Sequence, residues 1–171
     1  MKKRKIAILG STGSIGQNTL QVLKKNISNF SIELLTANNN YKKLIKQAKL
    51  FKPKNVLIRN NKFYGKVKNS LKNSKTRVFA GEISITDIIS SKLDYTMSAI
   101  VGIAGLQPTL DAIKISKTVA IANKESIICG WDILSKAIKN YNTKVLPVDS
   151  EHFSIMELSK NVNDEDIEEI I

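Results

Sequence analysis

The chain has 171 residues, of which 42% are hydrophobic and 25% charged, a balance that is typical of a globular domain and excludes a disordered chain. Its net charge of +12 comes mainly from lysine, with arginine only at Arg4, Arg59 and Arg77, so we expect a solvated basic surface and no nucleic-acid partner. No apolar run approaches the roughly 18 residues that cross a bilayer, and no signal peptide is recognisable, which predicts a cytoplasmic protein without a membrane partner.

The predicted elements alternate along the chain between apolar strands and amphipathic helices. We expect strands at 5–10, 32–37, 56–58, 77–79, 96–101, 118–122 and 144–148, and helices at 14–26, 41–52, 84–91 and 126–140. A further helix should begin near Pro108, and region 60–94 is less regular. This alternation predicts an α/β fold of the Rossmann-like type, a doubly wound, mostly parallel sheet with helices on both faces. The first helix should direct Ile15, Leu20, Val22 and Leu23 toward the sheet.

The first predicted strand ends in a glycine-rich turn, Gly10-Ser11-Thr12-Gly13-Ser14-Ile15-Gly16, from which the first helix starts. A strand, a tight turn and a helix in this order present backbone N–H groups to a pyrophosphate. One glycine permits the sharp turn, one lets the phosphates approach the backbone, and one allows close packing of helix and strand. The segment therefore predicts dinucleotide binding, although such a turn can also be purely structural.

The residues after the second strand bear on which nicotinamide cofactor fits. An NAD site typically has an acidic residue there, whereas this chain has Asn38-Asn39-Asn40, followed by Lys42 and Lys43. Glu33 lies in mid-strand, too early to reach a ribose. Neutral amides beside lysines tolerate a 2′-phosphate, so the segment favours NADP. The alternative is a structural turn rich in asparagine.

Two loops after later strands also carry candidate residues. Asn123-Lys124-Glu125 places an amide, a cation and a carboxylate at the expected ligand edge. Asn123 could equally cap the next helix, with Glu125 in its first turn. The segment Gly102-Ile103-Ala104-Gly105 either admits the nicotinamide edge or forms a tight turn.

The last predicted strand ends in Asp149-Ser150-Glu151. If the backbone stays extended, both carboxylates point to the same side and can hold a hard divalent cation through oxygen. A third protein ligand would be expected, and the sole histidine, His152, cannot supply the usual ligands of zinc. We expect His152 to be a structural neighbour; the alternative for the carboxylates is a solvated acidic turn.

Four segments taken together resemble the 1-deoxy-D-xylulose 5-phosphate reductoisomerase family: residues 10–16, 99–109, 121–126 and 146–152. Their order and spacing fit across essentially the whole chain. The first segment is shared with other dehydrogenases, and the last two are more specific. The resemblance implies an NADPH-dependent enzyme that makes 2-C-methyl-D-erythritol 4-phosphate in the non-mevalonate route to isoprenoid precursors.

The resemblance also implies roles for individual residues. NADPH would contact the glycine-rich turn and two later strand ends, at Thr12, Gly13, Ser14, Ile15, Asn38, Asn39, Asn40, Asn123 and Glu125. Substrate would contact Lys124, Ser150 and Glu151, of which Lys124 and Glu151 are the catalytic candidates. Asp149 and Glu151 would bind Mg²⁺ or Mn²⁺. In the family a carbon–carbon bond is cleaved and re-formed before hydride reduction, and the cation and Lys124 would stabilise the enediolate charge.

The resemblance further implies a division of the chain into an NADPH-binding domain at 1–148 and the beginning of a catalytic domain at 149–171. Family members often have a glycine and a basic residue where this chain has Asn38 and Asn39, which predicts a weaker preference for NADPH. The family continues beyond residue 171, so we expect a truncated chain that binds NADPH weakly and is inactive alone. At full length we expect a homodimer. The segment 161–171 should start a helix and then a strand.

Two other functions remain as alternatives. Another NADP-binding dehydrogenase, such as one resembling aspartate-semialdehyde dehydrogenase, would need a nucleophilic cysteine in the ligand cleft. The single cysteine, Cys129, lies near a predicted helix start after Ile127-Ile128, and we expect it to be a small buried side chain. The second alternative is a non-catalytic nucleotide-binding module.

Overall fold

The computed structural model describes residues 3–162 and residue 165. Its strands are β1 (Arg4–Leu9), β2 (Phe30–Ala37), β3 (Asn55–Ile58), β4 (Arg77–Ala80), β5 (Tyr95–Ser98), β6 (Thr118–Ile121) and β7 (Lys144–Pro147). Its helices are α1 (Ser14–Lys24), α2 (Tyr41–Phe51), α3 (Tyr64–Ser70), α4 (Ile85–Ile88), α5 (Leu106–Ile115), α6 (Lys124–Tyr141) and α7 (Ser150–Ser159). Short 3₁₀ turns lie at Ile27–Asn29, Asn61–Phe63 and Ile103–Gly105. All seven predicted strands are present.

The strands form one sheet in the order β4-β3-β2-β1-β5-β6-β7. Every neighbouring pair is parallel. The chain moves outward from β1 to β4 and then crosses to the other side of β1 for β5 to β7. The predicted doubly wound fold is confirmed. The direction of winding reverses between β1 and β5, where the loops diverge and ligands of such folds bind.

Both faces of the sheet are covered, because successive strand residues point to opposite sides. On one face Ile8 packs with Leu44 from α2. On the other face Leu9 packs with Ile113 from α5 and Leu134 from α6. All five side chains are 1% exposed or less. Burial on both faces explains why the strands are continuous apolar runs in the sequence.

Helix α1 has a different inward face from the one predicted. Leu20 and Leu23 are buried as expected, but Val22 is 68% exposed and Ile15 is 36% exposed. The third inward residue is Gly16, which lies directly on the turn after β1. Gly16, Leu20 and Leu23 share one helical face, so this contact sets the rotation of α1 and leaves Ile15 and Val22 at its sides.

Cys129 is exposed, so the prediction of a buried cysteine is wrong. Helix α6 buries Ser126, Gly130 and Leu134, which recur every four residues. Cys129 lies outside this face, as does Ile128, which is 71% exposed. The packing of α6 on its neighbours therefore overrides the local apolar pattern.

The C-terminal region is only partly described. The helix and strand expected at 161–171 fall mostly on residues 163, 164 and 166–171, which lie outside the described residues. The domain boundary between 148 and 149 stays a prediction. Within residues 3–162 no helix is both long and apolar enough to cross a membrane.

Candidate cofactor and metal site

Loops at the carboxyl ends of four strands surround one cleft of about 210 Å³. They are the loops after β1, β5, β6 and β7. The lining residues are Gly13, Ser14, Ile15, Ala99, Ile100, Val101, Ala122, Asn123, Lys124, Glu125 and Asp149. The glycine-rich turn, Lys124 and Asp149 therefore face a common space, although 25 residues or more separate each from the next in the chain.

Two glycines fix the shape of the turn between β1 and α1. Gly10 has φ +76°, and a Cβ there would lie 2.5 Å from the carbonyl oxygen of Ala99. A Cβ on Gly16 would lie 2.5 Å from the carbonyl oxygen of Gly10 and 2.6 Å from Cα of Ser11. The first position needs glycine for its conformation, and the second for close approach of helix and turn.

The N-terminus of α1 is open toward the cleft. Its N-cap residue, Gly13, makes no side-chain capping hydrogen bond, and the first turn contains no acidic residue. Ser14 and Ile15 are exposed there. The first backbone N–H groups of a helix have no partner within the helix, so this end can receive a phosphate.

Buried hydrogen bonds hold the turn from behind. The Gly10 N–H donates to Oγ1 of Thr36 over 2.9 Å. The Ser11 hydroxyl donates to Oε1 of Gln47, and Nε2 of Gln47 donates to the Ser11 carbonyl, each over 2.7 Å. Strand β2 and helix α2 thereby fix the turn without any ligand.

The segment after β2 is exposed and rich in amides. Asn40 caps α2, accepting a hydrogen bond from the Lys43 N–H over 3.1 Å. Oδ1 of Asn39 accepts from Nδ2 of Asn60 over 2.8 Å. The Asn-rich turn is thus also structural, which is the alternative that the sequence left open. Glu33 is buried in mid-strand and forms an ion pair with Lys54 over 3.0 Å.

Asn123 connects α6 to the loop after β5. Its Oδ1 accepts from the Ser126 N–H over 2.9 Å, which makes it the N-cap of α6. Its Nδ2 donates to the carbonyl oxygens of Ile100 and Gly102, the latter over 2.6 Å. Both amide hydrogens are engaged and the residue is 2% exposed, so the capping role that the sequence suggested is present. Contact of Asn123 with a cofactor stays a prediction.

Replacement of Asn123 by Ala should destabilise the chain by about 2–3 kcal/mol, because it removes the helix cap and leaves two carbonyl groups without their donor. Urea unfolding followed by circular dichroism measures this change. Asn140→Ala, on the exposed end of α6, is the matched control and should change stability by less than about 0.5 kcal/mol. Equal stability of the two variants would contradict the bridging role.

The backbone after β7 does not stay extended through the acidic residues, so that expectation is wrong: Asp149 is extended, but Ser150 and Glu151 are helical. Asp149 is the N-cap of α7, and Glu151 lies in the first turn of that helix. Oδ1 of Asp149 accepts from the His152 N–H over 2.9 Å and contacts Nδ1 of the same residue over 2.6 Å. His152 is thus a structural neighbour of Asp149, as expected. The Asp-Ser-Glu sequence starts a helix because the aspartate side chain satisfies a free N–H group.

Both carboxyl groups favour the ionised form. Burial raises the pKa of Asp149, but hydrogen bonds from the His152 N–H and ring, together with the charge of that ring, outweigh it and lower the pKa overall. The hydrogen bond from the Ser150 hydroxyl, the Glu151 N–H and the positive charge of Lys124 lower the pKa of Glu151. Ionised oxygens are the form that binds metal.

One oxygen of Asp149 fits a metal ligand. Oδ2 is buried and has no hydrogen-bond partner in the described part of the chain. A buried anionic oxygen without a partner is costly unless a cation or donor reaches it. No group of three or more His, Cys, Asp or Glu residues that could hold a metal occurs among the described residues. A cation such as Mg²⁺ or Mn²⁺ would satisfy Oδ2 of Asp149, and joint metal binding by Asp149 and Glu151 stays a prediction.

A second cavity, of about 560 Å³, extends from the turn across β2 toward β3. Thr12, Gly13 and Asn38 line it, and so do Arg59 after β3 and Glu82 after β4. Neither Arg59 nor Glu82 is among the site residues expected from the sequence. Arg59 follows β3 directly and Glu82 is the second residue after β4, so the rule that ligands bind beyond the carboxyl ends of strands could have found them.

The predicted site residues divide into those that line a cavity and those that do not. Nine of the thirteen line one of the two cavities: Thr12, Gly13, Ser14, Ile15, Asn38, Asn123, Lys124, Glu125 and Asp149. Asn39, Asn40, Ser150 and Glu151 line neither. The predicted contacts of all these residues with cofactor, substrate or metal stay predictions.

Comparison with known proteins gives consistent matches. A family model described as 1-deoxy-D-xylulose 5-phosphate reductoisomerase matches residues 6–130. A protein of that name from Pelagibacter ubique is 53% identical over 169 residues, which are 98% of this chain and 44% of the relative. One from Bacteroides fragilis is 39% identical over 172 residues, again 44% of the relative. The chain thus spans less than half of the length of these relatives.

Solved structures of the same description share the fold. The reductoisomerase from Zymomonas mobilis in complex with NADPH has a TM-score of 0.83 and 39% identity, over 88% of this chain and 40% of that one. A reductoisomerase in complex with NADPH, fosmidomycin and magnesium has a TM-score of 0.81 and 32% identity, over 87% of this chain and 37% of that one.

Proposed function

This chain belongs to the 1-deoxy-D-xylulose 5-phosphate reductoisomerase family, and from that membership we propose that it supplies the cofactor-binding part of an NADPH- and metal-dependent enzyme. The enzyme isomerises and reduces 1-deoxy-D-xylulose 5-phosphate to 2-C-methyl-D-erythritol 4-phosphate. One observation carries the proposal: a single cleft joins the glycine-rich turn to Lys124 and Asp149. The related structures that contain NADPH and magnesium support it.

The turn after β1 positions the dinucleotide in this proposal. The open N-terminus of α1 holds the pyrophosphate through the backbone N–H groups near Gly13, Ser14 and Ile15. NADPH, when bound, supplies the hydride, and the protein determines its position relative to the substrate. Because buried hydrogen bonds already fix the turn, little ordering is needed when the cofactor binds.

Asp149 and Glu151 hold the metal in this proposal, with Oδ2 of Asp149 as the prepared ligand. A divalent cation supplies Lewis acidity and orients the substrate oxygens. His152 keeps Oδ1 of Asp149 engaged and so directs Oδ2 to the metal. Lys124, exposed at the start of α6, adds a positive charge where negative charge develops on the substrate.

The described residues offer an incomplete metal shell, so we expect the 171-residue chain alone to bind NADPH but not to turn over. Residues 1–148 would form the cofactor domain, and 149–171 would begin the catalytic domain. A homodimer of the full-length enzyme stays a prediction.

The test is a chimera that joins this chain to the remaining part of the Pelagibacter ubique relative. Loss of nicotinamide absorbance should require both 1-deoxy-D-xylulose 5-phosphate and Mn²⁺, and chelation of the metal should stop it. The relative itself is the positive control. A folded chimera that binds NADPH but never consumes it with substrate and metal would contradict the proposal.

A further inference from the structure

We propose that Arg59 recognises the 2′-phosphate of NADPH and sets the preference for this cofactor, an inference that rests on the proposed function. The residues after β2 are asparagines, so they provide no positive charge for that phosphate. Within the described residues, the charged side chains that line the cavity beside the turn are Arg59 and Glu82. Lys42 and Lys43 do not line it.

The backbone places Arg59 beside the ribose position. In folds of this type the adenosine ribose lies at the end of the second strand, and an arginine nearby accommodates a 2′-phosphate. The Arg59 N–H donates to the Ala37 carbonyl over 2.9 Å, and the Asn60 N–H donates to the Asn38 carbonyl over 3.3 Å. The ends of β2 and β3 are thus held side by side, with Asn38 and Arg59 facing one cavity.

The guanidinium of Arg59 is oriented in advance. One terminal nitrogen pairs with the Glu82 carboxylate over 2.9 Å, and the other donates to the Ile83 carbonyl over 3.4 Å. A guanidinium carries five N–H donors, so three remain for a phosphate. Only 25% of the Arg59 side chain is exposed, which limits its freedom and its screening by solvent.

Glu82 opposes the binding of the phosphate in this arrangement. Its carboxylate repels an incoming anion and competes for the guanidinium, yet 81% of its side chain is exposed, so it can move into solvent. The two members of the ion pair should therefore have opposite effects. Loss of Arg59 should weaken recognition of the 2′-phosphate, and loss of the charge on Glu82 should strengthen it.

The experiment compares adenosine 2′,5′-bisphosphate with adenosine 5′-monophosphate, which differ only in the 2′-phosphate, by calorimetric titration of the 171-residue chain. Arg59→Met should weaken binding of the bisphosphate about 10- to 100-fold and change the affinity for the monophosphate less than about threefold. Glu82→Gln should strengthen binding of the bisphosphate and leave binding of the monophosphate unchanged. In the unmodified chain, the ratio of the affinity for the bisphosphate to that for the monophosphate should fall as salt is added.

Two control variants isolate the position of the charge. Arg77→Met removes an arginine at the amino end of β4, whereas Arg59 lies at the carboxyl ends of the parallel strands. This variant should change the affinity for neither ligand. Lys42→Met tests the exposed lysine after the Asn-rich turn. If Lys42→Met weakens the bisphosphate selectively and Arg59→Met does not, the assignment to Arg59 is wrong.

The outcomes separate the inference from the function on which it rests. If Arg59→Met or Glu82→Gln weakens binding of both ligands equally, the ion pair has only a structural role and the inference is overturned. Should Arg59→Met fail to fold, the result for Glu82→Gln still decides, since only a phosphate beside the Arg59–Glu82 pair should bind more tightly when that carboxylate is neutralised. Binding of neither ligand by the unmodified chain would instead contradict the proposed cofactor site.

Discussion

Replacement of Asp149 by Asn should lower the turnover of the full-length chimera at least about 1,000-fold, which corresponds to about 4 kcal/mol of transition-state stabilisation. The change removes the anionic charge from the oxygen that is buried without a partner, Oδ2. It keeps the start of α7, because asparagine caps helices as well as aspartate does. The effect should therefore come from the metal and not from the fold.

Steady-state rates as a function of Mn²⁺ concentration measure the effect. The variant should need far more metal, and its binding of NADPH should change little, because the turn after β1 is intact. Asp132→Asn is the matched control, since it makes the same chemical change on the exposed side of α6. Normal activity and normal metal dependence of Asp149→Asn would leave the acidic pair with only a structural role.

The fold could be predicted from the sequence because its strands are buried on both faces. Such strands are short apolar runs, and β1, β2 and β6 are found close to where the runs lie. The rotation of α1 could not be predicted in the same way. Hydrophobicity places Val22 inward, but close contact of Gly16 with the turn decides which face is buried. That contact depends on a glycine, which a hydrophobic pattern does not register.

The site was predictable as a set of strand ends but not in its local geometry. The carboxyl ends of parallel strands meet at one edge, so Gly13, Lys124 and both acidic residues should face a common cleft. Gly13, Lys124 and Asp149 line it, but Glu151 does not. Whether Asp149 continues a strand or caps a helix depends on a competition between hydrogen bonds, which residue types alone do not decide.

The pairing of Arg59 with Glu82 was harder to predict from the sequence, because it depends on which strands are neighbours in the sheet. The two residues follow β3 and β4 and are 23 positions apart. They meet because those strands are neighbours at the edge of the sheet. The winding of the fold implies this neighbourhood, but the composition of the two loops gives no sign of it.

Replacement of Gly16 by Ala should destabilise the chain by about 3 kcal/mol and weaken NADPH binding at least tenfold. The added Cβ would meet backbone atoms of Gly10 and Ser11 at 2.5–2.6 Å, and a backbone contact cannot be relieved by a side-chain rotation. Helix α1 must then move away from β1. Its N-terminus is the proposed pyrophosphate site, so stability and binding should fall together.

Gly65→Ala is the matched control, because Gly65 is exposed in helix α3 and a Cβ there would meet nothing within 4 Å. This variant should gain about 0.5 kcal/mol, since alanine favours helix over glycine. The midpoint temperatures of thermal unfolding should therefore shift in opposite directions. Gly16→Ala should lower the midpoint by roughly 6–12 °C, and Gly65→Ala should raise it by roughly 1–2 °C. If both variants are stabilised, α1 does not depend on close contact with the turn. If Gly16→Ala loses stability but binds NADPH normally, the dinucleotide does not lie at the start of α1.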